Sequence, residues 1–205
     1  MIFVGGENLM DLIQTGRQNE NGLFEAVPGG SPYNLAMAAG RQGVSVGYLT
    51  PISQDSNGDQ LAKKLTASNV VLCGSRSSAP TSLAMVSIAD GVPSYAFYRE
   101  ATAERQVEID ELSRNLTEHA SIFHIGSLGL TGGEDAFVWE AFAKRAKEQG
   151  VKVSLDPNVR ASLINDPSVY RARIQRMMAL ADILNDCNPR IIFNTFFRLV
   201  VRKDS

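Results

Sequence analysis

Two hydrophobic periodicities alternate along the chain. Residues 2–4 (Ile-Phe-Val) form a short apolar run that stops at Gly5-Gly6, the pattern of a buried strand ending where backbone must pass close to a neighbour. Residues 11–27 read as polar and irregular. Pro28-Gly29-Gly30-Ser31-Pro32-Tyr33-Asn34 then leads into Leu35-Ala36-Met37-Ala38-Ala39-Gly40. Ser31 suits an N-cap and Pro32 the first helical position, so a helix is predicted from there to about Gly43, with its small residues packed tightly against a sheet.

Residues 44–52 and 70–72 read as strands, with a helix over 59–68 between them. Alternating segments at 81–89 and 92–99 flank Asp90-Gly91, a strong local signal for a hairpin. After a charged stretch near 108–118 the rhythm is stricter: strand 122–125, helix 134–149, strand 151–155, helix 168–180 and a strand at 182–184. Strands alternating with helices of this length predict right-handed βαβ units, hence an α/β fold with a mostly parallel sheet covered by helices on both faces. The hairpin breaks that rhythm and is assigned to a small antiparallel lid beside the sheet.

Composition narrows the function classes. The 205 residues are 44% hydrophobic and 20% charged with a formal net charge of −2, so there is no electrostatic footprint for nucleic acid or an anionic membrane. The longest apolar runs are far too short to span a bilayer, and the Met1-Ile2-Phe3-Val4-Gly5-Gly6 start is unlike a signal peptide, so a cytoplasmic address is expected. Cys73 and Cys187 are too few and too far apart for a disulfide framework or a metal site and read as free thiols, while His119 and His124 have no partner at ligand spacing. Neither GxxxxGK[ST] nor GxGxxG occurs, which weakens P-loop and dinucleotide-binding readings.

Several short patterns carry candidate chemistry, each with a plainer alternative. Gly29-Gly30 before a helix lets backbone amides approach a ligand, with Asn34 one turn in; read alone, it is a glycine turn that starts a helix. Asp11 follows the first strand, where open α/β sheets bind ligands, and could accept two sugar hydroxyls; the alternative is a solvated loop aspartate. Asp156-Pro157-Asn158-Val159-Arg160 follows a later strand in the same way, with Arg160 suited to phosphoryl charge and Asn158 to a hydroxyl or hydrated metal, unless it is only a turn with a surface ion pair. Tyr95 and Phe97 point to one face of their strand and Tyr98 to the other, an aromatic wall for a lid or an ordinary half-buried hairpin.

Taken in order, Gly6-Glu7 with Asp11, the Gly29 to Asn34 segment, Ser53-Gln54-Asp55-Ser56-Asn57-Gly58, the 95–105 stretch and Asp156 to Arg160 resemble the PfkB/ribokinase family of ATP-dependent sugar kinases, most closely its fructokinase-like branch. The resemblance covers residues 1–184 and implies a doubly wound α/β domain with a β lid whose strands lie near 12–27 and 81–99. It implies sugar binding by Asp11, Gly29, Gly30 and Asn34, closure by Tyr98 and Arg99, and phosphate contact by Arg160 with Asn158 nearby. ATP and Mg2+ are the expected cosubstrate and ion, a small sugar the expected partner, and a homodimer through the lid the expected assembly. Arg99 beside Tyr98 also resembles kinases of 2-keto-3-deoxygluconate, whose carboxylate an arginine could pair with.

The departures are as informative. In that family the catalytic base and anion hole lie in a Gly-Ala-Gly-Asp-type motif opening a helix in the last third of the chain, and neither it nor an Asn-x-x-Glu motif after Leu184 occurs here. No catalytic base and no metal ligand is therefore assigned. Residues 185–205 instead hold Arg190, Arg198, Arg202 and Lys203 with Phe193, Phe196 and Phe197, an atypical tail. The expectation is a carbohydrate kinase chain lacking its carboxyl third, through a frameshift or truncation near Leu184, with little or no activity alone. A non-catalytic sugar-binding or subunit-partner module is the alternative.

Overall fold

A computed structural model describes residues 1–15, 23–89 and 92–185. The Asp90-Gly91 turn, Cys187 and the basic, aromatic tail lie outside the described residues. The elements are β1 (Ile2–Val4), β2 (Leu9–Thr15), β3 (Leu23–Gly29), α1 (Ser31–Arg41), β4 (Val46–Tyr48), β5 (Ile52–Ser53), α2 (Ser56–Ala67), β6 (Val70–Leu72), β7 (Arg76–Ser77), β8 (Ser82–Ala89), β9 (Val92–Tyr98), α3 (Ile109–Ser113), β10 (Ile122–Gly126), α4 (Glu134–Glu148), β11 (Lys152–Asp156), α5 (Pro167–Leu180) and β12 (Ile183–Leu184).

Six strands form a wholly parallel sheet in the order β12-β11-β10-β1-β4-β6. From β1 the chain winds outward through β4 to β6, then returns to β10 on the other side of β1 and winds outward through β11 to β12. The direction reverses between β1 and β10, which makes the carboxyl ends of those two strands the topological switch point, where open α/β sheets leave a crevice. Each face of the sheet has its own core. Phe3, Phe123, Trp139, Phe142 and Ile174 pack under α4 and α5, while Val4, Tyr33, Tyr48, Leu61 and Leu65 pack under α1 and α2. Phe3 and Val4 go to opposite cores because successive strand residues face opposite ways.

Four further strands, in the order β3-β2-β8-β9, form the lid. Its two hairpins are antiparallel, and they join through a parallel β2–β8 pair. Leu9, Ala84 and Phe97 on the lid pack with Leu128 of the main body, which seats the lid over the switch point.

Three local readings are corrected. Of the stretch read as irregular, residues 11–15 and 23–27 belong to β2 and β3, strands whose polar positions, including Asp11 and Glu25, belong to a lid rather than a core, and the rest lies outside the described residues. Residues 44–52 are two strands, β4 and β5, separated around Pro51, which has no N–H to continue a ladder. The first residue of α1 is Ser31 and its N-cap is Gly30, whose φ of +119° suits glycine. No side chain of α1 caps it; the carboxylate of Glu7 does so from the end of β1, accepting from the Ser31 N–H at 2.9 Å.

Candidate functional site

A cleft of about 350 Å³ opens at the switch point, lined by Glu7, Leu9, Asp11, Gly30, Ser31, Asn34, Tyr95, Phe97, Ser127, Leu128, Asn158 and Arg160. Residues distant in sequence meet here because five elements end or begin at one place. β1 delivers Gly6 and Glu7, β2 rises past it carrying Asp11, the β3–α1 junction brings Gly30 to Asn34, β10 runs into Ser127 and Leu128, and β11 into Asn158 and Arg160.

The cleft floor is close-packed backbone. Gly6 is pinned from both sides by Thr50, whose hydroxyl accepts from the Gly6 N–H at 3.0 Å and donates to the Gly6 carbonyl at 2.6 Å. A β-carbon at Gly30 would come within 2.6 Å of the Glu7 carbonyl oxygen, and one at Gly29 would collide with the Asp11 carboxylate. The paired glycines therefore have a steric reason beyond turn-making. Opposite them, Ser127 and Asn158 hold positive φ values of 55° and 36°, and Asn158 Nδ2 donates to Ser127 Oγ at 3.3 Å. Arg160 is exposed and folds back on Asn158, donating from Nη1 to its Oδ1 at 2.6 Å.

Burial shapes the charges. Glu7 is 2% exposed, and desolvation pushes its carboxyl up to about 7, outweighing the Ser31 hydrogen bond and the attraction of Arg99. Partial burial also raises Asp11 above the ordinary carboxylate range.

Of the residues singled out from the sequence, Asp11, Gly30, Asn34, Asn158 and Arg160 line this one cleft, and Gly29 lies against Asp11. Tyr98 and Arg99 do not line it. Tyr98 pairs with Leu83, one position out of step with the Ala84–Phe97 pair, so it occupies the lid face away from Asp11 and is 56% exposed. Arg99 is 9% exposed, and its fork is committed: Nε and Nη2 donate to Glu104 at 2.7 and 3.1 Å, and Nη1 to the Leu128 carbonyl at 3.2 Å. It borders a separate cavity of about 510 Å³ beyond Phe97. The aromatic wall of the cleft is instead Tyr95 and Phe97, stacked with centroids 6.0 Å apart.

Glu7, Ser31, Ser127 and Leu128 line the cleft without having been assigned a role from the sequence. Glu7 was visible in the Gly6-Glu7 pair after β1, but its partners, 24 and 121 residues away, were not. Among the described residues no group of three metal-ligating side chains occurs, and no helix is long and apolar enough to cross a membrane. No ligand set for a magnesium ion is therefore assigned among the described residues, and no step through the ion or a nucleotide is derived for this chain.

Comparison with known proteins agrees with this arrangement. The model of the pfkB family of carbohydrate kinases matches residues 1–185. The chain belongs to the pfkB family. A fructokinase of Rhizobium leguminosarum bv. trifolii is 34% identical over 185 residues, covering 90% of this chain and 56% of the relative. A probable chloroplastic fructokinase-6 of Arabidopsis thaliana is 34% identical, with 93% of this chain and 51% of the relative covered. The crystal structure of a fructokinase from Xylella fastidiosa superposes with a TM-score of 0.82 at 30% identity, covering 89% of this chain and 60% of that one; the same enzyme has also been solved with bound ATP. The chain spans a little over half the length of the relatives it matches. The ribokinase-like fold and the membership of a phosphotransferase family expected from the sequence both hold.

Proposed function

We propose that this chain is the sugar-binding part of a fructokinase-like kinase, that a neutral ketohexose occupies the cleft, and that the chain alone has little or no kinase activity. The observation that supports the site is the convergence of Asp11, Gly30, Asn34, Asn158 and Arg160 on one cleft beneath Tyr95 and Phe97. A carboxylate and two carboxamides suit a polyol, and stacked aromatic rings suit its C–H face. Arg160, at the outer side, is placed to meet the phosphoryl group arriving on a hydroxymethyl oxygen. Phosphoryl transfer asks for positioning, charge neutralisation and a base; these residues supply the first and part of the second. No Gly-Ala-Gly-Asp motif supplies the third.

A neutral sugar is preferred to 2-keto-3-deoxygluconate on a specific ground. Arg99, the arginine that would pair with a sugar carboxylate, is held by Glu104, and the cleft already contains the carboxyl groups of Glu7 and Asp11. A second anion would meet two carboxyls and one outer guanidinium.

The assembly we propose is a homodimer through the lid. Its support is the lid face turned away from Asp11, where Tyr98 and Phe24 stand exposed on an edge strand each. A subunit-partner role without catalysis is the second reading, favoured by β12, which among the described residues pairs only with β11 and leaves Ile183 and Leu184 exposed.

Calorimetry with fructose, 2-keto-3-deoxygluconate and MgATP, each titrated separately into the purified chain, tests the proposal. Heat with fructose, at least tenfold weaker binding of the sugar acid and none with MgATP is the expected result. Robust ATP-dependent phosphorylation of fructose would overturn the inactivity, and tighter binding of the sugar acid would overturn the substrate class.

A further inference from the structure

Glu7 accepts hydrogen bonds from main-chain N–H groups on both sides of the switch point. Oε1 takes the Ser31 N–H at 2.9 Å and Oε2 takes the Leu128 N–H at 3.1 Å. Ser31 opens α1, which covers one face of the sheet; Leu128 lies in the short turn Ser127–Leu130 that leads to α4 on the other face. Leu128 is also held through its carbonyl, because Arg99 donates to it at 3.2 Å while locked to Glu104. Through Ser31 the same carboxylate fixes the start of the helix that presents Asn34, and the Glu7 main chain lies so near Gly30 that a β-carbon there would fall 2.6 Å from its carbonyl oxygen.

We infer that Glu7 is a positioning residue whose carboxylate must be ionised to hold the Gly29–Ser31 loop and the Ser127–Leu130 turn in register around the sugar. The inference rests on the sugar-binding reading proposed above. Its chemical basis is acceptor count. Each N–H needs a lone pair on its own oxygen, and only the ionised carboxylate offers acceptors and no donor at both positions. A proton on either oxygen, or the amide of glutamine, turns one of the two N–H groups toward a donor.

The groups facing Glu7 from the surrounding elements are Arg99 at the end of β9, Glu104 beyond it, Asp11 on β2, the positive end of α1, and Tyr48 on β4, whose hydroxyl donates to the Glu7 carbonyl at 3.1 Å. Arg99 and the Ser31 N–H favour the anion; Glu104 and burial oppose it, and burial prevails, leaving the carboxyl near 7. The clamp therefore opens and closes within the ordinary working range of a protein.

Two measurements on the whole 205-residue chain test this. In the first, fructose affinity is followed by calorimetry from pH 6 to pH 8 for the wild type and for Glu7→Gln. If only the ionised state binds, the wild type tightens about tenfold across that range, since the competent fraction rises by that factor about a midpoint of 7. Glu7→Gln should bind weakly at every pH with no such slope. In the second, which needs no variant and so does not depend on one folding, the 15N–1H signals of Ser31 and Leu128 are titrated and should move together with one midpoint near neutrality. Amide signals that stay fixed, or a Glu7→Gln chain that keeps the wild-type slope, would overturn the inference. Absence of fructose heat at every pH while both amides titrate would uphold the clamp, sink the sugar reading and with it the coupling of the clamp to sugar.

Discussion

Ser127 and Asn158 are joined side chain to side chain across the ends of β10 and β11, and both hold left-handed backbone that non-glycine residues rarely adopt. Such conformations cost on the order of 1–3 kcal/mol each and persist only where the surroundings over-determine them. Here the surroundings are the cleft itself, since both residues line it. We expect Ser127→Gly to leave thermal stability within about 1 kcal/mol of wild type, because the relieved strain offsets the added chain entropy of glycine. Ser127→Val, branched at the β-carbon, should cost about 2 kcal/mol or more. Chemical denaturation of the two variants checks the sign of the difference; equal stabilities would remove the strain argument.

The glycine pair separates two effects. Gly30→Ala must place a methyl at a φ of +119° and 2.6 Å from the Glu7 carbonyl, so loss of folded protein is expected. Gly29→Ala collides with the Asp11 carboxylate, a side chain rather than backbone, and meets Leu9 at ordinary contact distance. That variant should fold, melt within a few degrees of wild type and lose most of its affinity for fructose. Unchanged fructose affinity would show that Asp11 does not touch the sugar.

The Arg99–Glu104 pair is nearly excluded from water, with side chains 9% and 1% exposed. Glu104 also accepts from Ser82 Oγ at 2.9 Å, so the pair ties β8 and the end of β9 to the Leu128 turn. Removing one member of such a pair strands the other charge, and Glu104→Ala should destabilise by about 3–5 kcal/mol. Replacing both at once, Arg99→Met with Glu104→Leu, should cost clearly less than Glu104→Ala alone. Urea titrations of the wild type and the two variants measure this, and a double variant at least as destabilised as Glu104→Ala would show that the pair is not coupled.

Glu7 makes a further, thermodynamic prediction. Its carboxyl sits near 7 in the folded chain against an ordinary 4.5, so the folded state keeps a proton that the unfolded state has shed. The resulting stabilisation is fully present below pH 4.5 and is lost as pH rises through 7. A shift of that size corresponds to about 3 kcal/mol. Asp55 and Asp182, lowered by their hydrogen bonds, act in the opposite sense, so the test is the wild-type stability minus that of Glu7→Gln at each pH. That difference should fall between pH 4.5 and pH 7; a flat difference would mean that Glu7 titrates normally. The ionised form that closes the clamp is thus the less stable one, a cost often found where a site is built for binding.

The strand and helix rhythm after residue 120 was legible in the sequence because each element there is local and amphipathic: α4 and α5 lie within one residue of their predicted starts and ends. The lid strands β2 and β3 were legible through the family resemblance, which placed lid strands near 12–27, and not in the periodicity, because residues 11–14 are all half-buried and 23–26 all exposed, with no alternating stripe to set a period. Asn34, Asn158 and Arg160 could be named in advance, each lying at the start of a helix or just beyond the carboxyl end of a strand, while Asp11, named as following the first strand, lies within β2. Tyr98 and Arg99 do not line this cleft, because strand alternation and a partner five residues on, Glu104, decide where they point.

What the sequence determined by itself, then, is the alternation of elements, a parallel sheet, the family and most of the sugar-site candidates, all of which rest on short-range pattern. Only the tertiary structure decided that Glu7 bridges residues 31 and 128, that Arg99 is already paired, and that Ser127 meets Asn158. The first depends on β1 and β10, far apart in the chain, becoming neighbours at a point of reversal, and the others on where β9, β10 and β11 end; partners set in this way leave no periodic trace in sequence.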